Sequence, residues 1–159
     1  GAVTFAAGIA GIAIALPVGL AKLRSGGNPI LPVTALTELR VIAGAAALIA
    51  VAAVLALAVG AVLRRGALTV TVVIAGIVLP YLLAITALPA DAADWVLRTT
   101  PAAAIAAEQS IPAYPQVTAV YTPMYGYYPL APWAGFAVLC AWTVAALALA
   151  AFLLHRRDA

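Results

Sequence analysis

Charge is what this chain has least of. Its 159 residues include eight Lys or Arg and five Asp or Glu, 8% in all, with one His, one Cys and one Met. Across four stretches, approximately residues 2–21, 41–63, 67–88 and 132–154, there is no Asp, Glu, Lys, Arg or His. With 67% hydrophobic residues and a mean hydropathy of +1.16, such a composition excludes a water-soluble fold. The lone Cys140 excludes a disulfide framework and a cysteine metal cluster within the chain, and its place inside an apolar run reads as a small buried side chain. The lone His155 sits at the end of the last run, which suits a solvated helix end and excludes paired intramembrane haem ligands.

Other absences narrow function further. There is no G-x-x-x-x-G-K-[ST] segment, and the only lysine, Lys22, lies in a loop, so this chain by itself has no phosphate cradle for ATP. Neither a buried Asp pair, a Ser/His pair nor a zinc ligand set can be assembled for intramembrane proteolysis. The apolar runs also lack the mid-membrane ionisable groups that ion-coupled secondary transporters use. The expectation is a chain with no catalytic residue, metal or cofactor of its own. It is either a membrane scaffold or a transport pathway energised elsewhere.

Four runs of about 20 residues match the ~30 Å hydrocarbon thickness at ~1.5 Å of helical rise per residue. The expected fold is all-α: a polytopic transmembrane bundle of four spanning helices forming one domain over residues 1–159. The first run has no basic leader, contains Pro17 and exceeds the usual signal-peptide core, so it reads as a spanning helix. Because the chain starts at Gly1 and its only methionine is Met124, the expectation is a piece lacking the N-terminal part of a longer protein. Pro17 and Pro80 should kink the first and third helices. Thr37 is the expected N-cap of the second helix, with Glu38 in its first turn. The second and third helices should form an antiparallel hairpin about Arg64-Arg65-Gly66.

Residues 89–131 are too long for a plain turn. The first half predicts two short helices. One covers 90–99, with Asp91 and Asp94 in its first turn, Trp95, Val96 and Leu97 as an apolar patch, and Arg98 after them; the other is capped by Thr100, opens at Pro101 and runs past Glu108 to about Ser110. Together they should form a mildly amphipathic hairpin lying in, or re-entering, the membrane interface. The second half, about 111–132, holds five of the six tyrosines among repeated prolines. It reads either as an interfacial lid or as an aromatic binding cluster.

The basic residues cluster at helix ends, as topology anchors do, and show no nucleic-acid pattern. Arg64, Arg65, Arg156 and Arg157 lie in short segments on one face; Lys22, Arg24, Arg40 and Arg98 are spread over the longer loops of the other. The denser set leans towards a cytoplasmic C-terminus.

The order of motifs is a helix ending Leu63-Arg64-Arg65, another with Leu79-Pro80-Tyr81, then Asp94-Trp95 and Thr100-Pro101-Ala102-Ala103. Last comes a helix from Leu130-Ala131-Pro132-Trp133-Ala134-Gly135 to Leu154-His155-Arg156-Arg157-Asp158-Ala159. Over nearly the whole chain this resembles the C-terminal part of bacterial ABC-2-type transporter permeases, the membrane subunits of ABC exporters. The resemblance implies that the four helices are the last four of six and that residues 90–110 are the re-entrant pair. It also implies a bacterial plasma-membrane location with a cytoplasmic C-terminus and a second permease copy, identical or not, across the pathway. Energy would come from ATP and Mg bound by a separate ATP-binding cassette ATPase. The competing expectation is a non-transporting anchor or assembly module that binds a partner through its extracellular Tyr-rich loop.

Overall fold

The computed structural model describes residues 2–27, 34–63, 66–109 and 128–157. Five α-helices and one 3₁₀ helix account for nearly all of them, with no strand among the described residues. They are α1 (Ala2–Ser25), α2 (Ala35–Leu63), α3 (Gly66–Thr86), α4 (Ala90–Thr99), the 3₁₀ helix (Pro101–Glu108) and α5 (Pro132–Arg157). Four of these, α1, α2, α3 and α5, are long and apolar enough to cross a membrane. The expected all-α bundle of four span-length helices with a short helical hairpin before the last is therefore present.

Three of the long helices outrun their apolar cores. The first continues past residue 21 through Lys22, the second starts six residues before 41 and takes in Glu38 and Arg40, and the last reaches Arg157. Hydropathy marks where lipid stops, whereas helical hydrogen bonding continues wherever good helix formers such as Leu, Glu and Arg follow. The third helix is shorter than expected. It ends at Thr86, where the amides of Ala87 and Leu88 both turn back to the Leu83 carbonyl before Pro89.

The N-cap of α2 is Thr34 rather than Thr37. The Thr34 carbonyl accepts from the Thr37 and Glu38 amides, and its hydroxyl lies 2.9 Å from that of Thr37. At the other end of the preceding loop, α1 closes with Ser25 Oγ donating to the Lys22 carbonyl at 2.8 Å, followed by Gly27 at φ +72°. That left-handed conformation suits glycine just past a helix end. Pro17 and Pro80 lie inside continuous helices. Each removes one amide donor, so the carbonyls of Ala13 and Gly76 lose the bond expected four residues on.

The second helix is the spine of the bundle. It packs against α1, α3, α5 and the 3₁₀ helix, whereas among the described elements α1 touches only α2. Two close approaches set antiparallel registers: Gly8 of α1 lies over Ala46, and Gly60 of α2 lies over Thr69 of α3, near the turn that joins them. Small residues at such crossings suit association in lipid, where close packing rather than water exclusion brings helices together. Arg64 and Arg65, in that turn, lie outside the described residues.

The main core joins Leu55 of α2, Val73 and Ile77 of α3, Leu139 of α5 and Ala104 of the 3₁₀ helix. Outward faces of the long helices carry Leu57, Ile74, Leu79, Val144, Leu147 and Phe152, all exposed and all apolar. Such a surface matches a hydrocarbon solvent. Leu139 is wholly buried and Leu147 is not. Leu139→Ala should therefore destabilise the bundle by about 2–5 kcal/mol. Leu147→Ala should change it by far less, because lipid or detergent fills the space. Thermal unfolding of the two variants in the same detergent checks the difference.

Candidate functional site

The feature that departs from a plain four-helix bundle is the hairpin between α3 and α5. Its first arm, α4, begins after Pro89 in extended geometry, with the Ala93 amide returning to the Pro89 carbonyl at 2.9 Å. Ala93 and Leu97 face inward and pack with Ala84 of α3, Ala102, Tyr81 and Leu88. The opposite side carries Asp91, Asp94, Trp95 and Arg98, so α4 is strongly rather than mildly amphipathic. Asp94 and Arg98 pair at 2.9 Å across one turn. Exposed pairs of this kind contribute only a few tenths of a kcal/mol in water.

At the tip the chain turns through Thr99-Thr100-Pro101. Thr100 occupies the N-cap position of the second arm, but its hydroxyl does not cap that arm. It donates backwards to the Val96 carbonyl at 2.8 Å, as does its own amide at 3.1 Å. Thr99 Oγ1 donates to the Trp95 carbonyl at 2.9 Å. The Thr99 carbonyl, left over at the helix end, accepts from the indole Nε1 of Trp142 on α5, also at 2.9 Å. Backbone groups that turn inside a membrane must be satisfied by protein, and this network does so for the end of α4. Ten residue steps separate Pro132 from Trp142, which is about 15 Å of helix and roughly half the hydrocarbon thickness. The hairpin therefore enters the bundle deeply instead of lying along its rim.

The returning arm is a 3₁₀ helix that ends at Glu108, not an α-helix that reaches Ser110. Three residues per turn put every third side chain in one row. One row, Ala103 and Ala106, meets α5 at Gly135; another, Ala104 and Ala107, meets α2 at Gly44 and near Leu55. Ala102 turns to α4 and α3. Five of the eight residues are buried alanines. A β-carbon on Gly135 would overlap the Ala103 carbonyl oxygen and lie 2.9 Å from the Ala106 β-carbon. On Gly44 it would lie 3.2 Å from the Ala107 carbonyl oxygen. The backbone of the arm is thus pressed against α5 and α2: at Gly135 only glycine fits, whereas at Gly44 a β-carbon would require its neighbour to shift by a few tenths of an ångström.

At the outer end of that arm, Arg40 of α2 donates from its guanidinium to the Gln109 carbonyl. A cation at the end of a helical segment complements exposed carbonyls. Here it ties the hairpin's return to the helix that forms the spine. Arg40 was expected only as a loop-side anchor. Tyr81 of α3 and Tyr128 stack with centroids 6.5 Å apart and planes 25° from parallel. Burial, then the neighbouring Tyr81 and Glu108, hold the Tyr128 phenol well above its ordinary range. Partial loss of hydration raises the Glu108 carboxyl above its usual value. Tyr128 is the one member of the tyrosine-rich segment among the described residues; residues 110–127 lie outside them.

The remaining site residues separate. Trp95 is 66% exposed, Pro101 opens the 3₁₀ helix and Glu108 closes it at the surface. Arg156 lies over the Phe152 ring, 5.1 Å from its centroid, at the far end of α5, and Arg157 ends that helix. The structure thus brings Asp94, Trp95, Arg98, Pro101 and Glu108 onto one hairpin and leaves Pro17, on α1, apart from them. The residues that hold the hairpin, namely Gly44, Gly135, Trp142 and Arg40, were not singled out as site residues from sequence. Gly135 stood within a quoted motif, yet nothing local marks which glycine a distant segment will touch.

Gly135→Ala should displace the hairpin and destabilise the fold by about 1–3 kcal/mol or more, Gly44→Ala by less. Gly76→Ala, where a β-carbon meets nothing within 4 Å, should be neutral or slightly stabilising. Melting temperatures in detergent rank the three. A raised Glu108 carboxyl means that folding favours its protonated form. Its contribution is present below the unfolded value and is lost as pH rises through the folded one. Because Glu108 is also exposed, solvent screens the effect, and Glu108→Gln should give a small gain in stability at neutral pH that shrinks as pH falls towards the ordinary carboxylate range, measured by unfolding at both. Comparison of the chain with protein-family models, with curated proteins and with solved structures finds no match to any of the three.

Proposed function

We propose that this chain is a membrane-spanning subunit of an ABC-2-type exporter, contributing half of a translocation pathway that a separate cytoplasmic ATPase drives. The observation that carries the reading is the deep two-armed hairpin placed immediately before the last span-length helix. That arrangement, in the order of motifs given above, is the one the resemblance to these permeases implies. The span-length runs offer no ionisable relay for ion coupling.

On this reading two copies, identical or paired with a related subunit, face one another in a bacterial plasma membrane with both C-termini in the cytoplasm. ATP and Mg are held by the partner. Closure of the ATPase dimer shifts the long helices as rigid bodies, and access between the copies alternates. The hairpin moves with α2 and α5, because Arg40, Gly44, Gly135 and Trp142 bind it to both.

The test is biochemical. An ATPase with Walker motifs encoded beside the full reading frame should co-purify with the permease, and substrate-free ATP hydrolysis should rise on reconstitution. Absence of both removes the exporter reading in favour of a membrane anchor. If deletion of residues 111–130 then abolishes capture of an outside partner, the anchor is an assembly module. Orientation has its own check. Arg64→Glu with Arg65→Glu should impair insertion more than Lys22→Glu with Arg24→Glu, because dense charge next to helix ends sets topology. Thiol labelling of cysteines placed at Gly66 and Ser110 from opposite sides reports it.

A further inference from the structure

Away from their ends, the outward surface of the span-length helices is almost entirely apolar, but one exposed face inside the same bundle is not. On α4, positions 91, 94, 95 and 98 share one side of the helix, and the opposite side, Ala93 and Leu97, is buried in the bundle. The shared side is open: Trp95 is 66% exposed, and the Arg98 and Asp94 side chains are 52% and 36% exposed. Thr99, beside it at the tip, is exposed as well. The bond from Trp142 to the Thr99 carbonyl places this end of α4 about 15 Å along α5 from its start.

Hydrocarbon is a poor neighbour for that face. Ionised side chains at membrane depth face protein or water rather than lipid. Arg98 reaches back to Asp94, one turn nearer the rim, yet the aspartate is short and cannot extend to the headgroups in the way a lysine or arginine stem does. Among the described residues no other element covers this side: the contacts of α4 run through its inner face to α3, the 3₁₀ helix and the edge of α5.

We propose that the polar face of α4 lines a water-filled recess entering the membrane from the hairpin's rim, with the Asp94–Arg98 pair and Trp95 as its wall. The recess admits water and polar or charged solute groups towards the middle of the bundle and excludes acyl chains. It rests on immersion of the bundle in lipid and not on the exporter reading, so a missing ATPase partner leaves it standing.

The experiment uses the whole chain in liposomes with Cys140 replaced by alanine and single cysteines at Trp95, Thr99, Asp91 and Leu147. Asp91 reports the shallow rim, and Leu147 the lipid-facing surface of α5. A charged, membrane-impermeant thiol reagent added at the hairpin side should label W95C and T99C as readily as D91C. It should do so roughly tenfold or more faster than L147C, since a thiol in hydrocarbon stays protonated and unreactive. If W95C and T99C are as slow as L147C while D91C reacts, the recess does not exist. Asp94→Asn and Arg98→Gln give an answer that needs no cysteine. In a wet face each single change leaves the melting temperature within about 4 °C of the parent. Loss of the fold in either single variant, with rescue in the double, would show a dry pair and overturn the proposal.

Discussion

Where the backbone of the 3₁₀ arm meets Gly135 of α5 and Gly44 of α2, side chains all but disappear and the segments are separated by little more than van der Waals contact. Much of the rest of the bundle follows from that approach. Lipid offers no hydrophobic drive between helices, so close packing must supply the attraction. An arm that meets the two glycines with alanines gives a very thin joint. It brings the main core together, because Ala104 of the arm is buried among Leu55, Val73, Ile77 and Leu139 from three different helices. It also fixes the depth of the tip, and with it which carbonyls need a partner.

The polar bonds of the hairpin are few, and each meets a need that the joint creates. Trp142 satisfies the carbonyl at the end of α4, Thr100 doubles the bond to Val96, and Arg40 takes the last carbonyl of the return arm. The hydroxyls of Thr143 and Thr86 donate to carbonyls one turn back on their own helices at 2.8 and 2.7 Å, which removes them from the list of groups that lipid must accept. The hairpin is consequently tied at its tip to α5 and at its outer end to α2. Because α2 and α5 also pack directly on each other, the hairpin adds a second connection between them, and the exporter reading takes that connection as a coupling element.

Much of the architecture was legible in the residues. Four uncharged runs of the right length, Pro89 and Thr100-Pro101 as breaks, and Arg64-Arg65-Gly66 as a tight turn define the helices to within a few positions. The errors have local causes. Helices overran the hydropathy limits because interfacial Lys22, Glu38 and Arg40 are compatible with helix. Thr34 took the cap from Thr37 because α2 starts six residues before its apolar run. In the 3₁₀ form of the second arm, a period of three puts Ala103 and Ala106 towards α5, Ala104 and Ala107 towards α2, and Ala102 with Ile105 on the third row. Of the hairpin residues, Asp94 and Arg98 were visible on a short amphipathic helix, but the apolar patch expected of Trp95, Val96 and Leu97 splits, with Leu97 buried and Trp95 on the exposed side, and the partners on α2 and α5 were not visible.

The sequence by itself determined that the long helices would be apolar enough to cross a membrane, since their runs carry no charged residue. It also determined the number of long helices, the turn between the second and third, and the presence of two short helices before the last. Only the tertiary structure decided how deep those short helices go, which form the second adopts, and which glycines and which indole receive them. Composition and period act through near neighbours and through the surrounding medium, so they can be read along the chain. Close approach between Gly135 and Ala103, 32 positions apart, depends on where every intervening helix comes to rest.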